Sequence, residues 1–75
     1  MISGVPMIPV ISSNVEALGH DEAGRRLIVK YRGGVLWEYD GVDRAKVDAL
    51  LAADSVGSFL HREIRGAHEG RKISG

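Results

Sequence analysis

The stretch Arg26-Leu27-Ile28-Val29-Lys30-Tyr31-Arg32-Gly33-Gly34-Val35-Leu36-Trp37-Glu38-Tyr39 decides the fold of this 75-residue chain. Side chains alternate along an extended backbone, so Leu27, Val29 and Tyr31 fall on one side and Ile28, Lys30 and Arg32 on the other. After Gly33-Gly34 the period of two resumes, with Val35, Trp37 and Tyr39 against Leu36 and Glu38. Two alternating runs around a glycine pair spell a β-hairpin. It carries three of the chain's four aromatic residues and, counting Arg25 at its entry, four of its ten Lys and Arg.

Upstream, Val10 to Leu18 reads as a further strand that opens in the turn-like Ser12-Ser13-Asn14 and leads to a loop at Asp21–Gly24. Residues 1–10, interrupted by Pro6 and Pro9, read as an extended arm, loose or laid along a sheet edge, where proline is tolerated. Downstream the period changes. Asp43 stands where an N-cap belongs, and Val47, Leu50 and Leu51 recur at helical spacing as far as Asp54. Ser55 or Ser58 caps a second helix with Val56, Phe59, Leu60 and Ile64 inward, and Gly66 stops it. Residues 67–75 show no period and read as a flexible tail.

The resulting fold class is α+β: a three-stranded antiparallel sheet covered on one face by two short helices, in the order β-β-β-α-α, over residues 11–66. A hairpin alone would not be stable, whereas three strands under a helical lid can be. On this arrangement Ile28, Lys30 and Arg32 face solvent.

So short a chain holds one small domain. It has no cysteine, which excludes disulfides and thiolate metal sites and favours a cytoplasmic setting. Homodimerisation is the remaining way to add buried surface. Pro6 and Pro9 break the apolar start, so neither a signal peptide nor a membrane span is expected. Lys plus Arg and Asp plus Glu balance at ten each. Overall charge therefore does not mark a polyanion binder, although Arg25, Arg26, Lys30 and Arg32 cluster, as do Arg62, Arg65, Arg71 and Lys72.

Catalytic chemistry finds no constellation. There is no Gly-x-Ser-x-Gly elbow, and Ser55 reads as a cap rather than a nucleophile. His61 lacks the partner four residues away that a zinc helix requires, and no metal or cofactor is expected. Trp37 and Tyr39 point the same way from one strand. They pack in the core, the preferred placement, or offer a platform on which bases stack.

The ordered set Ser12-Ser13-Asn14-Val15, Gly19-His20-Asp21, Leu27-x-Val29-x-Tyr31-x-x-Gly34, Trp37-x-Tyr39-x-x-Val42, Leu50-Leu51-x-Ala53-x-Ser55-x-Gly57-x-Phe59 and Ile64-Arg65 resembles the KTSC domain. That family takes its name from the C-terminus of some lysyl-tRNA synthetases and also occurs as small stand-alone proteins in bacteria and phages. The resemblance spans roughly Ile11 to His68. The family usually has Tyr-x-Tyr where this chain has Trp37-Glu38-Tyr39, and often Gly-Tyr-Asp at Gly19-His20-Asp21. Leu60 and His68 stand where the family has aromatic residues. What the resemblance implies about activity is RNA binding.

The expectation is a non-enzymatic binding module that holds RNA through a basic strip of Arg26, Lys30, Arg32, Arg62 and Arg65, with Trp37 and Tyr39 as the candidate aromatic contacts. The alternative is a protein-interaction adaptor, such as a phage-type regulator docking on a host enzyme like RNA polymerase. Its apolar arm, Val5 to Ile11, would add a strand to the partner.

Overall fold

The structure, a computed structural model, describes Ile2 and residues 4–75. Met1 and Ser3, at the outer end of the expected arm, lie outside the described residues. The hairpin forms where the alternation places it, with β3 at Arg26–Tyr31 and β4 at Leu36–Asp40. Gly33 and Gly34 turn the chain at φ 92° and 87°, a region closed to most side chains. Before them come β1, Ile8–Pro9, and β2, Val15–Asp21. The helices follow as α1, Arg44–Leu51, and α2, Val56–Phe59. α2 runs directly into a π-helical segment, Leu60–Arg65, and β5, Gly70–Ser74, ends the chain.

Both caps sit where the sequence puts them. The Asp43 carboxylate accepts from the Lys46 amide at 3.0 Å, and the Ser55 hydroxyl accepts from the Ser58 amide at 3.2 Å.

The sheet has five antiparallel strands in the order β1-β2-β3-β4-β5, not the expected three. Both added strands are edges. Pro9 pairs with Ala17 at one rim, in the two-residue β1. At the other rim Gly70–Ser74 pairs with β4, where the sequence suggested a flexible tail. Neither edge carries an apolar alternation; the arm takes the sheet-edge placement, one of the two expected for it, whereas β5 forms where the sequence shows no period.

β2 begins later than expected, at Val15, and bulges between Val15 and Ala17. One extra residue there shifts the alternation. Val15 and Leu18, three apart, consequently both join the core with Leu27, Val29 and Tyr39. Val42, Val47 and Leu50 close it from the α1 side, and Val56, Leu60 and Ile64 from the α2 side.

The second face of the sheet is not open either, which corrects the placement of Ile28. That residue is fully buried. Its cross-strand neighbours are Gly19 and Glu38. The arm crosses over Gly19: a β-carbon built there would stand 2.6 Å from Met7 Sδ and 3.0 Å from the Pro6 carbonyl oxygen. Only glycine permits that approach, and Val5, on the same stretch, is buried.

Candidate functional site

The cations expected to form one strip are divided between two places. Arg26 lies on the second face, inside a chain of ion pairs that crosses four strands. Its Nη2 is 2.8 Å from Asp21 Oδ2 on β2 and its Nη1 is 3.0 Å from Glu38 Oε2 on β4. Arg71 of β5 takes the other Glu38 oxygen and reaches Asp40 Oδ2 at 3.1 Å. The Glu38 side chain is only 7 % exposed, so both of its oxygens are matched where water cannot serve them. The Arg26 hydrogen bond, followed by the Gly24 amide, holds the Asp21 carboxyl below the usual carboxylate range. Lys30 is bound to Glu16 Oε2 at 2.8 Å, and that contact lowers the Glu16 carboxyl in the same way. With three carboxylates to two guanidiniums, the Asp21–Arg26–Glu38–Arg71–Asp40 cluster offers an anion nothing.

Arg32, Arg62 and Arg65 converge elsewhere. They line an open cleft of about 1220 Å³ between the Val10–Asn14 segment and the start of the second helix, with Asp54, Ser55, Val56, Gly57, Ser58 and His61 completing its walls. Arg32 stands at the turn after β3, where its amide donates to the Asn14 carbonyl at 3.0 Å. Its Nε and Nη2 donate to the Ser12 carbonyl at 3.3 and 3.0 Å, which fixes the loop and leaves Nη1 over. Arg62 spends only Nε, on the Ser58 carbonyl at 3.3 Å. The Arg65 guanidinium makes no hydrogen bond or ion pair among the described residues.

The two walls meet at Gly57, where a β-carbon would come within 2.8 Å of Asn14 Oδ1. His61, Arg62 and Arg65 all ride on the π-helical segment. Such wide turns are rare and recur at functional sites. Here the segment buries Leu60 and Ile64 while turning its basic residues outward.

Tyr39 is a core residue, 3 % exposed, and its hydroxyl meets that of Tyr31 at 3.0 Å. Burial, and then this hydrogen bond, push the Tyr39 phenol well above its ordinary value; the nearby Arg65 charge opposes them. Trp37 is half-buried, stacked on Tyr39 with ring centroids 6.1 Å apart and packed against the core. Neither ring lines the cleft. Sequence reasoning passed over Asn14, Asp54 and His61 as cleft residues. Its one signal was the turn-forming Ser12-Ser13-Asn14, read as local structure only.

Fold and cleft together define a small α+β domain that presents a cationic groove, with no group of His and acidic residues able to hold a metal among the described residues. The chain belongs to the KTSC domain family, whose sequence model matches residues 11–68. It is 42 % identical over 59 residues to a protein of Tsukamurella paurometabola, covering 79 % of this chain and 88 % of that one. An uncharacterized protein of Stutzerimonas stutzeri is 35 % identical over 57 residues, 76 % of this chain and 80 % of the relative. The crystal structure of a KTSC domain protein from Yersinia pestis superposes with a TM-score of 0.89 at 30 % identity, covering 95 % of this chain and all of the other. No helix among the described residues is long and apolar enough to cross a membrane.

Proposed function

We propose that this protein is a non-enzymatic module that binds single-stranded RNA in the cleft of Arg32, Arg62 and Arg65. The observation that carries the reading is the convergence of three guanidiniums free of carboxylate partners, while Arg26, Lys30 and Arg71 are each neutralised. Guanidinium forks suit phosphate oxygens, and unspent N–H groups on Arg62 and Arg65 supply bidentate contacts. Ser13, Asn14 and Ser58 add neutral donors and acceptors beside them. An open groove fits a flexible strand better than a duplex, since single strands can be led around a small domain.

Titration of a labelled RNA oligomer by fluorescence anisotropy, at low and near-physiological salt, tests the reading. Binding that weakens with salt and is lost on replacing Arg62 and Arg65 together supports it. Binding that does not change with salt, or no binding at low salt, overturns it.

Protein docking is the second reading, favoured by Ile8 and the fully exposed Ile11 beside the two-residue edge strand β1. Apolar side chains at a short sheet edge are what strand addition by a partner would use. Capture of a protein from lysate that survives nuclease and is lost with Ile11→Asp would support it.

A further inference from the structure

Asp54 is out of place in a cleft built for phosphate. It is the one carboxylate among the described lining residues, set against three guanidiniums. It is exposed and makes no hydrogen bond or ion pair among the described residues, so neither oxygen is committed. Some carboxylates beside arginines are taken up, Asp21, Glu38 and Asp40 by Arg26 and Arg71 and Asp48 by Arg44 at 3.0 Å, whereas Asp54 is not. A free carboxylate repels any phosphate that approaches it. It is an acceptor only, so what it can receive from a nucleic-acid strand is a donor. Along an RNA backbone every nucleotide offers one, the ribose 2′-hydroxyl, which DNA lacks.

Resting on the RNA reading of the cleft, we propose that Asp54 is a specificity-determining residue that selects ribose over deoxyribose, its carboxylate accepting a hydrogen bond from a 2′-hydroxyl of the bound strand. With RNA the hydrogen bond offsets the repulsion between carboxylate and phosphate. With DNA the repulsion stands alone. The arginines supply affinity, which is indifferent to the sugar, and Asp54 supplies the choice.

The test compares RNA, DNA and 2′-O-methyl RNA oligomers of one sequence by anisotropy, on the wild-type chain and on Asp54→Ala. The wild type should favour RNA over the other two by roughly fivefold, the size of a single hydrogen bond. Asp54→Ala should bring the three to near equality, chiefly by tightening the DNA. Equal wild-type affinities, or a preference that survives the substitution, overturn the proposal. So does a preference seen with oligo-C and lost with oligo-U, which would assign the carboxylate to an exocyclic base amine. Asp54 precedes the Ser55 cap, so thermal midpoints are compared as well. If Asp54→Ala does not fold, Asp54→Asn, which keeps the shape and removes the charge, must still narrow the gap from the DNA side. Binding of none of the three oligomers would refute the RNA reading itself, whereas equal binding of RNA and DNA refutes only the sugar selection.

Discussion

The hydroxyl of Tyr31 and the hydroxyl of Tyr39 meet at 3.0 Å although the residues sit on neighbouring strands two rows apart. The contact ties the rim of the core to its centre, because Tyr39 is closed to solvent and Tyr31 is half open.

Replacing Tyr39 with Phe should cost about 1 kcal/mol, the net worth of a neutral hydrogen bond whose partner can still reach water. The wild type should also lose stability in alkali. Its Tyr39 phenol titrates higher in the folded than in the unfolded chain. The contribution is therefore complete below about pH 10, the unfolded value, and is lost as pH rises through the raised native one. Urea midpoints measured on either side of that point check the sign, and the Phe variant should show the smaller change.

Glu38→Gln should loosen β5 before it unfolds the domain. Arg71 joins that strand to Glu38 and Asp40, and no β5 side chain is buried. Amides of Gly70–Ser74 should exchange faster in the variant, while those of β3 keep their protection. Uniform acceleration across the sheet would refute the local role.

Acid should weaken the fold through Asp21 and Glu16. Both carboxyls are held low by their basic partners, Arg26 and Lys30. Their contribution is present above about pH 4 and disappears as pH falls through the lower native values. The urea midpoint should drop over that window, and added salt should flatten the drop because these pairs remain partly open to solvent.

Arg62→Ala and Arg65→Ala should each weaken RNA binding and reduce the dependence of log affinity on log salt by roughly 0.7, the value for one single-strand phosphate contact. Lys30→Ala should leave both unchanged, its ammonium being held by Glu16. An equal effect of all three would mean that diffuse charge, not the cleft, does the binding.

Gly19→Ala should destabilise by about 1–3 kcal/mol, as overpacking does. The new methyl meets the Pro6 carbonyl as well as the flexible Met7 side chain. Truncating the arm before Ile8 should remove most of that penalty, and a thermal melt of the double variant measures it.

What the sequence made legible was whatever burial writes into a period. The β3–β4 hairpin and the inward faces of both helices repeat at two or at 3.6 residues, the Asp43 and Ser55 caps stand where those periods begin, and all of them lie where the sequence places them. β5 was missed because Arg71 and Ile73 alternate with Lys72 and Ser74, a strand held by ion pairs and backbone hydrogen bonds. Ile28 was put in solvent because alternation says which face a residue takes, not whether the arm lies across that face. The cleft was half legible. Arg32, Arg62 and Arg65 were named, but nothing local could reveal that Arg26 and Lys30 would find carboxylates on adjacent strands. Asp54, in a turn between helices, gave no periodic sign at all.

The bulge between Val15 and Ala17 makes the cleft a matter of counting. Val15 pairs with Tyr31 and Ala17 with Lys30, consecutive residues of β3, so Glu16 is the surplus residue and the ladder keeps its register on either side of it. Deleting Glu16 would leave Val15 and Leu18 two apart, the regular spacing for one face of a strand, so the Ser12–Asn14 wall would keep its side of the sheet. Descendants of this chain can thus shed one residue at the bulge and keep the groove, whereas a second loss would turn the wall to the opposite side of the sheet.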